Sequence, residues 1–101
     1  MSDTKTGYVK IYRKSIDSDV FKNPYAWQLF SYCIMKARFK KTKKFDVGEF
    51  ETTQDEMAMD LNISRPSVNK FLKILKASNY IDYEIAGKKT IIRVNNFSKY
   101  Q

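Results

Sequence analysis

Two helix starts in close succession constrain this chain more than any other feature of its sequence. Thr53 begins the first helix: its hydroxyl can accept from the backbone N–H three residues on, while the Glu56 carboxylate can reach back to the N–H of Thr53. Ser64 begins the second helix as its N-cap, with Pro66 in the first turn, where a missing N–H costs little. Because only about three residues of turn remain between the two helices, the spacing predicts a helix-turn-helix.

The second helix has two chemically different faces. Its apolar residues recur at the spacing of a stripe that packs on a core, and they are Val68, Phe71, Leu72 and Leu75. The opposite face carries Arg65, Ser67, Asn69, Lys70, Lys73 and Lys76. Arginine and asparagine match the edges of guanine and adenine in the major groove, so we expect Arg65 and Asn69 to contact bases. The DNA backbone is the expected partner of Ser67, Lys70 and Lys73. A plain solvated helix surface is the alternative.

A ribbon of two strands is predicted after this helix. Apolar residues alternate from Tyr80 to Ile85, and residues 90–94 read as the return strand. Gly87 supplies the positive φ of a tight hairpin, with Lys88 and Lys89 expected as phosphate contacts at its tip. A basic hairpin after such a helix is typical of the wing of a winged helix, although a hairpin charged only for solubility is the alternative. We therefore predict an α+β winged helix-turn-helix, mostly helical, with a small antiparallel sheet and an N-terminal strand/helix extension.

The net charge of +8 is unevenly distributed along the chain. Six of the nine residues from Lys36 to Lys44 are basic, which suits either a solvated turn or a phosphate contact. Residues 46–60, here called the acidic block, carry six acidic side chains and no basic one. Because these would repel phosphate, we expect the first helix to stand back from a duplex. Thr52 and Thr53 are its expected phosphate contacts, and Ser64 is a further predicted DNA contact. Residues 48–52 are predicted to form a strand that pairs with the hairpin.

Composition argues against catalysis. The chain has no histidine, which removes imidazole metal ligands and histidine-activated nucleophiles, and its three glycines form no phosphate loop. We predict no enzyme activity, no metal and no cofactor. The single cysteine, Cys33, excludes an internal disulfide and is expected as a buried, small apolar residue. Without a long apolar run or a signal peptide, the chain is expected in the cytoplasm and away from membranes.

One domain is expected for all 101 residues. Its parts are a disordered tail (1–6), an N-terminal extension (7–23), the winged-helix core (24–96) and a polar C-terminal tail (97–101). In the extension, residues 7–12 read as a strand or arm, and residues 13–20 as a short helix with Ile16 and Val20 facing inward. A helix from Pro24 to about Arg38 is apolar nearly all round, so a homodimer through it or through the extension is expected. The end of the chain lacks a compact cap, so the chain can be one domain of a longer protein.

Three segments carry a resemblance to a known family: residues 7–14 with 19–24 and the aromatic-rich helix after them, residues 53–68, and residues 94–101. Together they resemble the N-terminal domain of phage and plasmid replisome-organiser (replication initiation) proteins of the DnaD-associated type. The resemblance implies a winged helix that binds repeated sites in a replication origin, often as a dimer, and helps to recruit the replicative helicase. In such proteins the contact with replication proteins belongs to a separate C-terminal part, so the resemblance implies that these 101 residues alone are not expected to load the helicase.

The predicted function is sequence-specific binding of double-stranded DNA at a phage or plasmid replication origin, with the protein associated with the nucleoid of a bacterial host. Two alternatives stay open. A transcriptional regulator of a mobile element would use the same DNA chemistry at a promoter. An oligomerisation or protein-interaction module would use the same fold without DNA.

Overall fold

A computed structural model describes residues 10–11, 13–38 and 41–100. Within these residues the chain is a mostly helical α+β fold with four α-helices and a three-stranded antiparallel sheet. The elements are α1 (Asp19–Lys22), α2 (Pro24–Lys36), β1 (Glu49–Thr52), α3 (Gln54–Leu61), α4 (Arg65–Ala77), β2 (Ile81–Ala86) and β3 (Lys89–Val94), with 3-10 turns at Arg13–Asp17 and Phe97–Tyr100. None of the helices in this part of the chain combines the length and the apolarity that crossing a membrane requires.

Both predicted helix starts are confirmed. The Thr53 hydroxyl accepts from the backbone N–H of Glu56 at 3.0 Å, and the Ser64 hydroxyl accepts from that of Ser67 at 3.3 Å. Residues 62–64 join α3 to α4, and Asn62 adopts the left-handed conformation (φ 57°) that ends α3. Local hydrogen bonds therefore define both ends of the short connection.

Thr52 takes a position that the sequence did not indicate. Its side chain is buried with 3% exposure, and its hydroxyl donates to the Glu56 carboxylate at 2.8 Å. Two expectations are wrong as a result. Glu56 does not reach back to the N–H of Thr53, and Thr52 does not face solvent as a phosphate contact. The bond instead ties the end of β1 to the first turn of α3.

The core lies between the helices and one face of the sheet. The apolar stripe of α4 is buried as predicted, and it consists of Val68, Phe71, Leu72 and Leu75. Helix α2 adds Ala26, Leu29, Phe30, Cys33 and Ile34, which confirms the prediction of a buried Cys33. The sheet contributes Phe50, Ile81, Ile92 and Val94. Since α2, α3 and β2 all pack on α4, that helix is held from its apolar side.

The strand order is β1-β3-β2, so the predicted pairing of residues 48–52 with the hairpin is confirmed. Thr90 of β3 lies opposite Thr52 on one side and Ile85 on the other. Gly87 turns the hairpin with the predicted positive φ, 64°. Lys89 is not at the tip, because it is the first residue of β3 and pairs with Ala86. The turn itself therefore presents Lys88.

The N-terminal extension matches its prediction in part. Residues 7–9 and 12 of the expected strand or arm lie outside the described residues, while the N–H of Lys10 donates to the carbonyl of Tyr100 at 2.8 Å. The expected helix from Arg13 is a 3-10 turn followed by α1. Val20 faces inward as predicted, with 6% exposure, whereas the inward position of Ile16 is wrong, because that side chain is 60% exposed.

Residues 97–100 pack against the core, although a polar tail was expected there. Phe97 is buried, and its Cβ lies 3.0 Å from where a Cβ on Gly48 would stand. Gly48 also has a φ of 88°. Both the contact with Phe97 and this backbone conformation therefore favour glycine at this position. The Tyr100 ring meets Phe30 edge-on at 5.8 Å. The boundary expected at residue 96 therefore does not separate core from tail.

Helix α2 ends at Lys36, two residues before the predicted end, and its apolar surface is largely covered by its own chain. Its aromatic residues contact other elements: Tyr25 stacks on Phe71 at 5.6 Å, Trp27 meets Phe21 at 5.3 Å, and the Tyr32 hydroxyl donates to Asp60 at 2.7 Å. Tyr25 and Met35 still expose more than half of their surface. Most of the reason to expect an intersubunit interface at this helix is therefore removed.

Candidate nucleic-acid interface

The outward face of α4 carries the residues predicted to contact DNA. Arg65, Lys70 and Lys73 are exposed, while Ser67 and Asn69 are half-buried. Arg65 and Asn69 are four residues apart and so lie above one another on the helix surface. Helix α4 contains no acidic residue, and its apolar stripe points the other way. Both predicted base-contacting residues and both predicted phosphate-contacting lysines therefore share one rigidly supported helix.

The predicted hydroxyl contacts are already engaged within the protein. Thr53 and Ser64 cap α3 and α4, and the Ser64 hydroxyl also donates to the hydroxyl of Ser67 at 2.9 Å. These bonds satisfy N–H groups that the first turn of a helix leaves free. The hydroxyls of Thr53, Ser64 and Ser67 are therefore already hydrogen-bonded at the two helix starts. A contact with phosphate would be additional to these bonds.

Arg65 has an acidic neighbour that sequence spacing did not reveal. Its Nε lies 3.3 Å from the Asp55 carboxylate in the first turn of α3, and both side chains are mainly exposed. An exposed pair of this kind is worth little to stability, typically about 0–1 kcal/mol. Its consequence is geometric, since the pair biases where the guanidinium points. The closest approach to Asp55 is through Nε.

The acidic block is paired within the fold. Every one of its six acidic side chains contacts a cation or a hydroxyl: Asp46 with Lys41, Glu49 with Arg93, Glu51 with Lys44 and Lys89, Asp55 with Arg65, Glu56 with Thr52, and Asp60 with Tyr32. The repulsion of phosphate expected from this block is therefore smaller than its sequence charge suggests. Lys70, Lys73 and Lys88 form no ion pair with the described residues, so their charges stay available.

Two of these carboxylates are stabilised in their charged form. The backbone N–H of Asp46, followed by the Arg93 guanidinium, holds the pKa of Glu49 below its ordinary value. Hydrogen bonds from Lys44 and then Lys89 hold the pKa of Glu51 below its ordinary value. Lys89 thus stands beside β1, 3.4 Å from Glu51, and not over the hairpin tip. Its predicted phosphate contact would require this pair to open.

The basic stretch from Lys36 to Lys44 folds back onto the protein where it is described. Lys41 reaches Asp46 at 3.8 Å, and Lys44 reaches Glu51 at 3.2 Å. The charged groups of Arg38 and Lys44 each lie 5.3 Å from the centre of the Phe45 ring. Two charges of the stretch, on Lys41 and Lys44, therefore offset the acidic block, which favours neither of the two roles left open for the stretch.

A surface groove brings three of the predicted DNA contacts together. It lies where the hairpin turn, the start of α3 and the start of α4 meet. Its lining includes Thr53, Asp55, Arg65, Gly87, Lys88 and Thr90. Because these residues come from three separate parts of the chain, only the packing of the hairpin against the two helix starts creates the groove.

Thr90 is the groove residue that sequence analysis missed. It is 1% exposed, and its hydroxyl has no hydrogen-bond partner among the described residues. A buried hydroxyl without a partner costs about 1–3 kcal/mol, so such groups are rare in native proteins. The alternation of β3 could have placed Thr90 on the inward face with Ile92 and Val94, but the missing partner has no signal in the sequence.

Residue types suited to metals or covalent chemistry do not converge in the described part of the chain. Groups of three or more His, Cys, Asp or Glu side chains placed to hold a metal ion are not found there. Cys33 is fully buried, and burial raises the pKa of its thiol well above the ordinary value. The thiol is therefore a core group in this fold.

Comparison with protein families, with curated proteins and with solved structures found no significant match to this chain.

Proposed function

We propose that the protein binds double-stranded DNA sequence-specifically as a winged helix-turn-helix, with α4 as its recognition helix. The observation that carries this proposal is the outward face of α4. It combines Arg65 and Asn69 with Lys70 and Lys73, has no acidic residue, and stands on a fully buried apolar stripe. An α-helix fits the major groove of B-DNA, where these side chains can distinguish base pairs.

The hairpin of β2 and β3 acts as the wing in this proposal. Lys88 at its turn shares a groove with Arg65, so a duplex seated on α4 passes beside the turn. Arg65 and Asn69 read base edges, and Lys70, Lys73 and Lys88 contact phosphates. Weaker contacts with DNA are proposed for four residues, because each already has a partner within the fold. They are Lys89, Ser67, Thr53 and Ser64.

The biological setting is proposed from the resemblance described above. A phage or plasmid replication origin, occupied by a homodimer, is the leading assignment, and a promoter of a mobile element is the alternative. The position of the binding site would distinguish them. Paired half-sites one helical turn apart would indicate a dimer, because the symmetry of the site mirrors that of the protein.

The test begins with selection of bound fragments from a random duplex pool, which gives the site and its symmetry. Fluorescence anisotropy then compares the selected site with versions that carry one changed base pair. Arg65→Ala should cost about 1–3 kcal/mol and relax discrimination at one base pair. The double variant Lys70→Ala/Lys73→Ala should weaken all duplexes alike and reduce the salt slope by about one unit for each lost phosphate contact.

Lys99→Ala is the matched control, because Lys99 lies beside Lys14 and Asp17, away from α4 and the hairpin turn. Its affinity and salt slope should equal those of the unaltered chain. If the α4 variants bind duplex as well as this control does, α4 is not the DNA-reading element. Oligomers in light scattering without salt-dependent duplex binding would favour the interaction module instead.

A further inference from the structure

The groove beside the hairpin turn has the properties of an anion site. Arg65 and Lys88 bring two positive side chains to it, and the start of α3 adds the positive end of a helix dipole. Thr53 caps the N–H of Glu56, whereas the N–H groups of Gln54 and Asp55 have no protein acceptor among the described residues. Free N–H groups at a helix start are a common anion-binding device.

Thr90 supplies a second, independent feature of the same groove. Its hydroxyl is buried and has no partner among the described residues, and Thr90 is one of the residues that line the groove. A hydroxyl is a donor that an oxyanion can satisfy. Thr52, directly across the sheet, is equally buried but donates to Glu56 at 2.8 Å. Of these two cross-strand neighbours, Thr90 is the one that lines the groove and the one whose hydroxyl lacks an acceptor among the described residues.

The hairpin turn leaves room for a ligand. A Cβ placed on Gly87 would meet no atom within 4 Å, and Gly87 stands in the wall of the groove next to Lys88. Asp55 is the one acidic side chain in the groove wall, and its ion pair with Arg65 offsets its charge. The carboxylate of Asp55 therefore lowers the affinity of the groove for an anion without closing the site.

We propose that this groove binds a single phosphate group, held by the Thr90 hydroxyl, Lys88 and the free N–H groups at the start of α3, with the positive charge of Arg65 beside it. The phosphate belongs to the backbone of the duplex that α4 reads, so the inference rests on the proposed function and names one contact within it. The carboxylate of Asp55 tunes the site, because its negative charge opposes that of the phosphate.

The test uses two probes and the whole chain. Inorganic phosphate is titrated while the amide signals of Gln54, Gly87 and Lys88 are followed by NMR, with chloride at equal ionic strength as the reference. Duplex affinity is measured by anisotropy over a range of salt. Phosphate should shift the three amide signals, whereas chloride should not.

Five substitutions, one of them a control, separate the effect of the hydroxyl from the effects of charge and of folding. Thr90→Val should weaken duplex binding about tenfold at an unchanged salt slope, because a neutral donor is lost. Thr90→Ser, which keeps the hydroxyl, should restore the affinity. Lys88→Ala should lower the salt slope by about one unit, and Asp55→Asn should strengthen binding of both probes. Thr52→Val is the control, with unchanged binding of both probes.

The outcomes distinguish this inference from the proposed function. Duplex binding that is identical in Thr90→Val and in the unaltered chain would overturn the phosphate site and leave DNA binding by α4 intact. Amide shifts with inorganic phosphate but no duplex binding would support a phosphate site for a free ligand and overturn the DNA function. Amide signals that do not respond to phosphate would overturn the site directly.

Discussion

Thr52 and Thr90 form a natural pair for a stability experiment, because they are cross-strand neighbours and only one of their hydroxyls has a hydrogen-bond partner among the described residues. They lie opposite each other on β1 and β3, with 3% and 1% exposure. The Thr52 hydroxyl donates to Glu56 at 2.8 Å, whereas the Thr90 hydroxyl has no partner among the described residues. Replacing each by valine exchanges a hydroxyl for a methyl group of similar shape in the same part of the sheet.

The expected effects have opposite signs. Thr90→Val removes a buried donor that is not satisfied, so it should raise the free energy of unfolding by about 1 kcal/mol. Thr52→Val removes a hydrogen bond and should lower it by about 1 kcal/mol. The two variants should then differ by about 2 kcal/mol, a factor of about 30 in the folding equilibrium. In a domain of this size the difference corresponds to roughly 10 °C in Tm.

Urea unfolding followed by circular dichroism, together with thermal unfolding, measures both values under the same conditions. Equal slopes of the unfolding free energy against urea concentration would show that the substitutions leave the unfolded state unchanged. If Thr90→Val destabilises the protein as much as Thr52→Val does, the Thr90 hydroxyl has a partner in solution. That result would refute the reasoning for stability and would weaken the case for the anion site.

Three further predictions concern the acidic block and the core. The pKa of Glu49 lies below its ordinary value of 4.5, so the stability that this carboxylate contributes is present above pH 4.5 and is lost as the pH falls through the lowered pKa. Urea unfolding from pH 7 to pH 3 should show this loss. If Glu49→Gln has the same pH profile of stability as the unaltered chain, this prediction is contradicted. Leu72→Ala should cost about 2–5 kcal/mol, because Leu72 is fully buried. Ile74 lies on the same helix but is partly exposed, so Ile74→Ala should lower the free energy of unfolding much less. Equal losses in the two variants would show that the buried stripe of α4 is assigned to the wrong residues. Cys33 should react with Ellman's reagent only when the chain unfolds, because it is fully buried; rapid labelling of the native protein would show otherwise.

Sequence reasoning succeeded where the signal was local. Thr53 and Ser64 were identified as caps because a cap bonds an N–H three residues away, a distance that is visible in the sequence. The same applies to the buried stripe of α4, which follows the helical repeat, and to the positive φ of Gly87, which follows from turn chemistry. These features determine the elements and the composition of the outward face of α4.

Sequence reasoning failed where a residue's partner lies far along the chain. Phe97 was assigned to a polar tail because most of the residues around it in sequence are polar, yet Gly48 makes room for it in the core. Lys89 was assigned to the hairpin tip by proximity to Gly87, yet it pairs with Glu51 of another strand. Ile16 was assigned inward by helical spacing, but its segment is a 3-10 turn with a different repeat.

The amino-acid order alone thus determined which segments become helices and strands, and which face of α4 is basic, since both depend on neighbours within a few residues. Tertiary structure alone decided which charges are free to meet a ligand. It paired Arg65 with Asp55 and Lys89 with Glu51, left Lys88 without an ion pair among the described residues, and placed the unsatisfied Thr90 hydroxyl in the same groove. The physical reason is that the strength of an ion pair or a hydrogen bond depends on separation in space, and only folding sets that separation for residues distant in the chain.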